Sequence, residues 1–203
     1  MSFNSSFAGL SPRALANREK IYEAAIKLIK RHGLEATTMD EIAVEAGMAR
    51  SSVFNHFPSK LAFLAEFFER FTDDVIRAAS QARLTGFNNR LEALFAAIGP
   101  IAHANKAMVR EFAVLAMGHG PLAQAESEAD ATMRTFFRNI VDEGLASGEI
   151  RDDVDADLLA DFLLGVLTVT AHDWVNAGQT TSLQADLSVR FNLLIQGIEK
   201  RSR

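Results

Sequence analysis

Between positions 50 and 56 the chain sets out hydrogen-bonding side chains at a spacing that suits contact with a nucleic acid. Arg50, Ser51, Ser52, Asn55 and His56 are interleaved with Val53 and Phe57. On a helix, this pattern turns Val53 and Phe57 inward and leaves the polar set outward. A short helix with a polar outer face and an exposed N-terminus fits the major groove of DNA, where its amides and dipole also favour phosphate. Catalytic patterns are missing. The sequence has no Gly-rich phosphate loop, no Gly-x-Ser-x-Gly elbow and no His-Glu-x-x-His pair, so the chain reads as a non-enzyme.

That helix needs a partner to present it. Thr38, with Glu41 three residues on, forms the reciprocal cap that opens a helix. Ile42, Ala43 and Ala46 give the helix its buried side, Ala43 being small where two helices cross. Gly47 supplies the left-handed turn, and Met48, Val53 and Phe57 pin the second helix to the first. Upstream, Ile21, Ala25, Leu28 and Ile29 follow a helical stripe that Gly33 stops. Downstream, Pro58 and Ser59 break the chain before a long helix from Lys60, carrying Leu61, Leu64, Phe68, Phe71 and Val75 at helical intervals.

Further helices are expected over about 88–103, 106–117, 122–147, 156–176 and 182–200, and strand signals are almost absent. The predicted fold is all-α, with about nine helices. A flexible tail (1–12) precedes a three-helix helix-turn-helix head (13–62), followed by a larger helical bundle (63–203) for ligand binding and dimerisation.

Composition narrows the class. The chain has 203 residues, 48% of them hydrophobic and none cysteine, which excludes disulfides and thiolate-bound metals. The net charge of −5 is unevenly spread: residues 1–60 carry +2 and the remainder −7. A basic front on an acidic body suits a protein whose one end meets a polyanion. The stretch near 162–171 is about half the ~20 residues that span a membrane, and no secretory signal is visible, so a cytoplasmic protein without membrane contact is expected. The acidic group Glu149, Asp152, Asp153, Asp155 and Asp157 lacks the turn glycine and spacing of a calcium loop and reads as a solvated turn. No metal or cofactor is expected.

Ile42-Ala43, Ala46-Gly47, Phe54, His56-Phe57 and Ser59-Lys60 together resemble the signature of the tetracycline-repressor (TetR) family of bacterial transcriptional regulators, over about residues 13–72. The resemblance implies a homodimer of all-α subunits that reads operator DNA with its head and releases it when a small molecule enters the body. It further implies that Lys60 and His56 touch backbone phosphate, that Ser52 donates to phosphate where the family usually has threonine, and that Thr38 lies against the backbone. Arg50 falls at a base-contacting position, where an arginine pairs bidentately with guanine. Ser51 and Asn55 complete the expected DNA face. Phe54 stands where the family usually has tyrosine, so packing replaces a hydroxyl-to-phosphate bond. Ala49 stands for the common serine and Ser51 for the common glycine, changing the cap and approach of the recognition helix.

The body is rich in phenylalanine. Phe67, Phe71, Phe95, Phe112, Met133, Phe137, Phe162 and Trp174 are candidate linings for an apolar effector pocket, with His103, His119, His172 and Asp173 as candidate polar groups. The apolar stripe of the 156–176 helix is too wide for one partner. Phe162 and Val166, with Leu187, Phe191, Leu194 and Ile198 of the last helix, are therefore the expected dimer contacts. The rival reading is a helical small-molecule carrier that does not bind DNA.

Overall fold

The computed structural model describes residues 10–116 and 120–198. The first nine residues of the expected tail, Met117 and His119 lie outside the described residues, as does the side chain of Ile198. Among the described residues the regular structure is helical: α1 (Pro12–His32), α2 (Met39–Ala46), α3 (Arg50–His56), α4 (Lys60–Gln81), α5 (Phe87–Ala104), α6 (Lys106–Leu115), α7 (Pro121–Ser147), α8 (Ala156–Asn176) and α9 (Leu183–Ile198).

Local chemistry sets the ends of these helices. Ser11 accepts from the Ala14 amide (3.3 Å) and Pro12 occupies the first turn, so α1 begins inside the segment expected to be tail. The α2 cap forms in both directions: the Glu41 amide donates to Thr38 Oγ1 (3.2 Å), and the Thr38 amide to Glu41 Oε2 (2.8 Å). Gly47 ends α2 at φ 61°, the left-handed conformation the tight turn requires. In the acidic loop, Glu149 Oε2 accepts from the Phe87 amide at the start of α5 (3.0 Å), and Asp155 caps α8 through the Leu158 amide (2.8 Å). These two carboxylates thus serve helix N-termini.

The chain forms two compact units, one of residues up to Arg70 with Ala107–Glu128, the other of Phe71–Lys106 with the chain from Ala129 on. In the first, α1, α2 and α3 pack on one another around Ile21, Ala25, Ile42, Ala46, Val53 and Phe57. Phe57 stacks on Phe63 at 4.1 Å and Phe68 on Phe112 at 3.8 Å. Burying each such ring contributes about 1.5–3 kcal/mol.

In the second, α9 packs against both α5 and α8. Phe191 lies at its centre, 4.7 Å from Phe95 and 6.1 Å from Phe137. Trp174 is buried with Nε1 donating to the Thr181 carbonyl (3.0 Å). Gly144 is needed for close packing, since a Cβ there would fall 2.7 Å from Ile150 Cδ1.

Three expectations about the body need correction. Leu187 and Phe191, expected at a dimer interface, are fully buried within the second unit. Phe162, expected also in a pocket, is 56% exposed, and Phe95, Phe137 and Trp174 fill this unit's core. The apolar stretch of α8 is also longer than the sequence suggests. Over its 21 residues it is long and apolar enough to cross a membrane, although Asp157, Asp161 and Asp173 interrupt the run, and 44% of the apolar window is buried in the chain.

Candidate nucleic-acid interface

The recognition helix α3 has only seven residues and lacks a side-chain cap at Ala49. A helix this short is marginal unless the surroundings hold it. Val53 is wholly buried beneath it and Phe57 follows at its end. Arg18 of α1 donates from Nη1 to the His56 carbonyl (2.5 Å) and lies 4.0 Å over the Phe57 ring, fastening the C-terminal end.

Arg18 is itself fixed by Glu66 of α4, a carboxylate only 3% exposed that also pairs with Arg70 (2.5 Å). Arg70 continues to Glu19 (2.6 Å) and stacks 3.9 Å over Tyr22. The Arg70 hydrogen bond is the main cause holding the Glu19 carboxyl below its ordinary range. Burial by itself would lower the Arg70 guanidinium, but Glu19 and Glu66 outweigh it and raise it. Arg18 therefore does not belong to the basic front inferred from sequence: it is turned inward. Lys27 is paired with Glu45 at 2.5 Å.

Outward, Arg50, Ser51 and Asn55 are exposed, Phe54 is 37% exposed, and Ser52 and His56 are half-buried. Arg50 Nη1 donates to Asp40 Oδ2 on α2 (3.2 Å), and its Cζ lies 5.4 Å from the centre of the Phe54 ring. Burial, then the nearby Arg18, holds the His56 imidazole below its usual pKa. Lys60 donates from Nζ to the carbonyls of Leu34 (2.6 Å) and Glu35 (3.0 Å), tying the α1–α2 connection to the start of α4. An ammonium has three protons, so one is left over after these two bonds. Thr38 Oγ1 serves the α2 cap and also donates to Glu41 Oε2 (2.9 Å). The structure thus gathers all eight expected DNA-facing residues within the first unit. Asp40, Glu66 and Arg70 escaped sequence reasoning; each has a charged partner on another element, Arg50, Arg18 and Glu19 respectively.

The candidate pocket residues do not gather in the same way. Phe67 and Phe112 are buried in the first unit, Met133 is buried in the second, and Phe71 is half-buried. Phe95 also lines a groove of about 220 Å³ with Asn88, Glu92, Asn192 and Gln196, smaller than the ~300–1,000 Å³ usual for ligand pockets. His103, His172 and Asp173 are exposed, and Asp173 pairs with Arg190 (2.5 Å). Asp130, not foreseen, is half-buried: burial raises its pKa, partly offset by Arg134 and His172.

Comparison with known proteins agrees with this geometry. Residues 21–67 match the model of bacterial regulatory proteins of the tetR family, and residues 127–197 match that of the YsiA-like protein C-terminal region. The transcriptional repressor KstR2 of Rhodococcus jostii is 25% identical over 89% of this chain and 90% of its own length. The fatty acid metabolism regulator protein of Bacillus subtilis is 24% identical over 90% and 95%. Among solved structures, Thermus thermophilus FadR, a TetR-family repressor in complex with lauroyl-CoA, superposes with TM-score 0.76 at 23% identity, covering 92% of this chain and 97% of FadR. Bacillus subtilis FadR with stearoyl-CoA gives TM-score 0.73 at 21% identity, covering 89% and 99%.

The two matches cover the helix-turn-helix of α2 and α3 and much of the helical body, and the class they define is that of DNA-binding transcriptional regulators. This chain belongs to the TetR family of bacterial transcriptional regulators.

Proposed function

We propose that the protein is a homodimeric repressor released from its operator by an acyl-CoA thioester. The effector class rests on one observation: its likeness to fatty-acid and ketosteroid regulators runs nearly the full length of both chains, and two of the superposed structures hold acyl-CoA. Arg50 reads a base, while Ser52, His56 and the remaining Lys60 proton meet phosphates, flanked by Thr38, Ser51, Phe54 and Asn55. Within the first unit, the buried Phe67 and Phe112 take the apolar part of the effector.

The dimer contact uses the outer side of α8 and α9. Leu158, Phe162 and Val169 recur at helical spacing on α8, with half-buried Val166, and Val189 and Leu193 lie on α9; Leu193 is 71% exposed. Half-buried Leu194 borders this set. A Cβ at Gly165, within the stripe, would meet nothing in the chain, which leaves room for a partner helix. Two-fold symmetry then spaces the recognition helices to match successive major grooves, ~34–36 Å apart.

The test titrates a labelled operator complex with lauroyl-CoA, stearoyl-CoA, free coenzyme A and free fatty acid. Release by the acyl-CoA esters, and not by free coenzyme A or free fatty acid, is the expected result. No release by either ester, with operator binding intact, would overturn the effector assignment.

A further inference from the structure

We propose that Asp40 and Phe54 hold the Arg50 guanidinium in its base-reading pose, making Asp40 a determinant of operator specificity that does not itself contact a base. The inference rests on the reading of Arg50 given above. Its basis is the bracket around one side chain. Asp40 Oδ2 accepts from Nη1 at 3.2 Å, Oδ1 lies 3.1 Å from Nε, and the Phe54 ring sits 5.4 Å from Cζ. The two partners come from different elements: Phe54 is one turn along α3, and Asp40 lies in the first turn of α2. Together they restrict a side chain that is otherwise 65% exposed.

Stability does not account for this arrangement. An ion pair between residues 65% and 61% exposed adds little to folding. Its larger consequence is for Arg50. A solvated arginine samples many rotamers, and ordering it at a base opposes binding, so a side chain ordered beforehand loses less. Asp40 accepts a hydrogen bond from Nη1, which leaves Nη2 to face a base. The gain falls on sequences that offer Arg50 an acceptor, so it favours discrimination over raw affinity. Phe54 fits the same scheme: without the hydroxyl of the family's usual tyrosine, its ring serves as a platform for the cation.

Selection of bound duplexes from a random pool, with melting temperatures recorded in parallel, tests the assignment. Arg50→Ala should erase preference at one position of each half-site. Asp40→Asn should reduce preference at that same position about two- to fivefold, without weakening binding to random duplex. Phe54→Leu should do likewise, whereas Phe54→Tyr, which keeps the ring, should not. Added to Arg50→Ala, Asp40→Asn should change nothing further there. A stability role alone would lower melting temperature and affinity for every duplex while preserving base ranking, and that result overturns the proposal. Loss of preference with Arg50→Ala but not Asp40→Asn removes the bracket and leaves Arg50 as reader. Intact preference in Arg50→Ala removes both.

Discussion

α3 and α8 each turn one side outward, yet they are held in place by different forces. α3 has seven residues, one wholly buried apolar side chain and no side-chain cap at its start. Its position depends on Arg18 gripping the His56 carbonyl and on Glu66 gripping Arg18. α8 has 21 residues and buries Leu159, Leu163, Leu167 and Trp174 on its inner side, with charged pairs only at its margins, such as Arg134–Asp161. A small element is placed by directional polar contacts; a long one is placed by buried area. The outward faces differ accordingly: α3 presents polar side chains such as Arg50 and Asn55, and α8 presents apolar ones such as Leu158 and Phe162.

Removing the polar anchor should break this contrast most sharply. Glu66→Ala removes the buried carboxylate that Arg18 and Arg70 share, leaving them only the His56 carbonyl and Glu19, and should cost about 3 kcal/mol. Urea denaturation should show that loss, with operator binding falling further than the stability change alone explains. Next, Phe162→Glu places a charge on the apolar face of α8. Dimer association should weaken by about 2–4 kcal/mol, seen as monomer in sedimentation velocity with helix content retained. Unchanged sedimentation would remove that face from the interface.

Lys60→Met separates two roles of one ammonium. Loss of its bonds to the Leu34 and Glu35 carbonyls should cost about 1–3 kcal/mol of stability. If the third proton meets a phosphate, the salt dependence of DNA binding should also become shallower by about one unit. A stability loss with an unchanged salt slope would leave Lys60 purely structural.

The smallest effect is a pH dependence. Folding lowers the His56 pKa, so the native state favours neutral imidazole. As pH falls through the ordinary histidine range the unfolded chain takes up the proton first, and stability declines. A phosphate contact acts in the opposite sense on binding. It favours imidazolium, so operator affinity should rise a few-fold between about pH 8 and pH 6 and become flat in His56→Gln. Flat wild-type affinity would leave His56 without a phosphate partner.

The head was the more legible part of the sequence because its determinants are local. Thr38 and Glu41 are three residues apart, and Gly47 sits where its backbone must turn left-handed. The anchors behind α3 were not legible, since Arg18 and Glu66 are 48 residues apart and a charge on a helix gives no sign that it points inward. In the body, α9 offers two apolar stripes. Leu187 and Phe191 form one and Val189 and Leu193 the other, and the sequence contains nothing to rank them. The structure buries the first and exposes the second. Phe162 was expected both in a pocket and at an interface for a related reason: α8 is apolar on both sides, so periodicity cannot say which side faces the core.

Because the grip on α3 is from behind, its outward side chains bear little of the fold's stability. Arg50, Ser51 and Asn55 are free to vary with modest effect on folding, so a lineage could acquire a new operator by exchanging them while the Arg18–Glu66 clasp stays fixed. A designer could rewrite the binding site in the same order, altering the reader and leaving its mount alone.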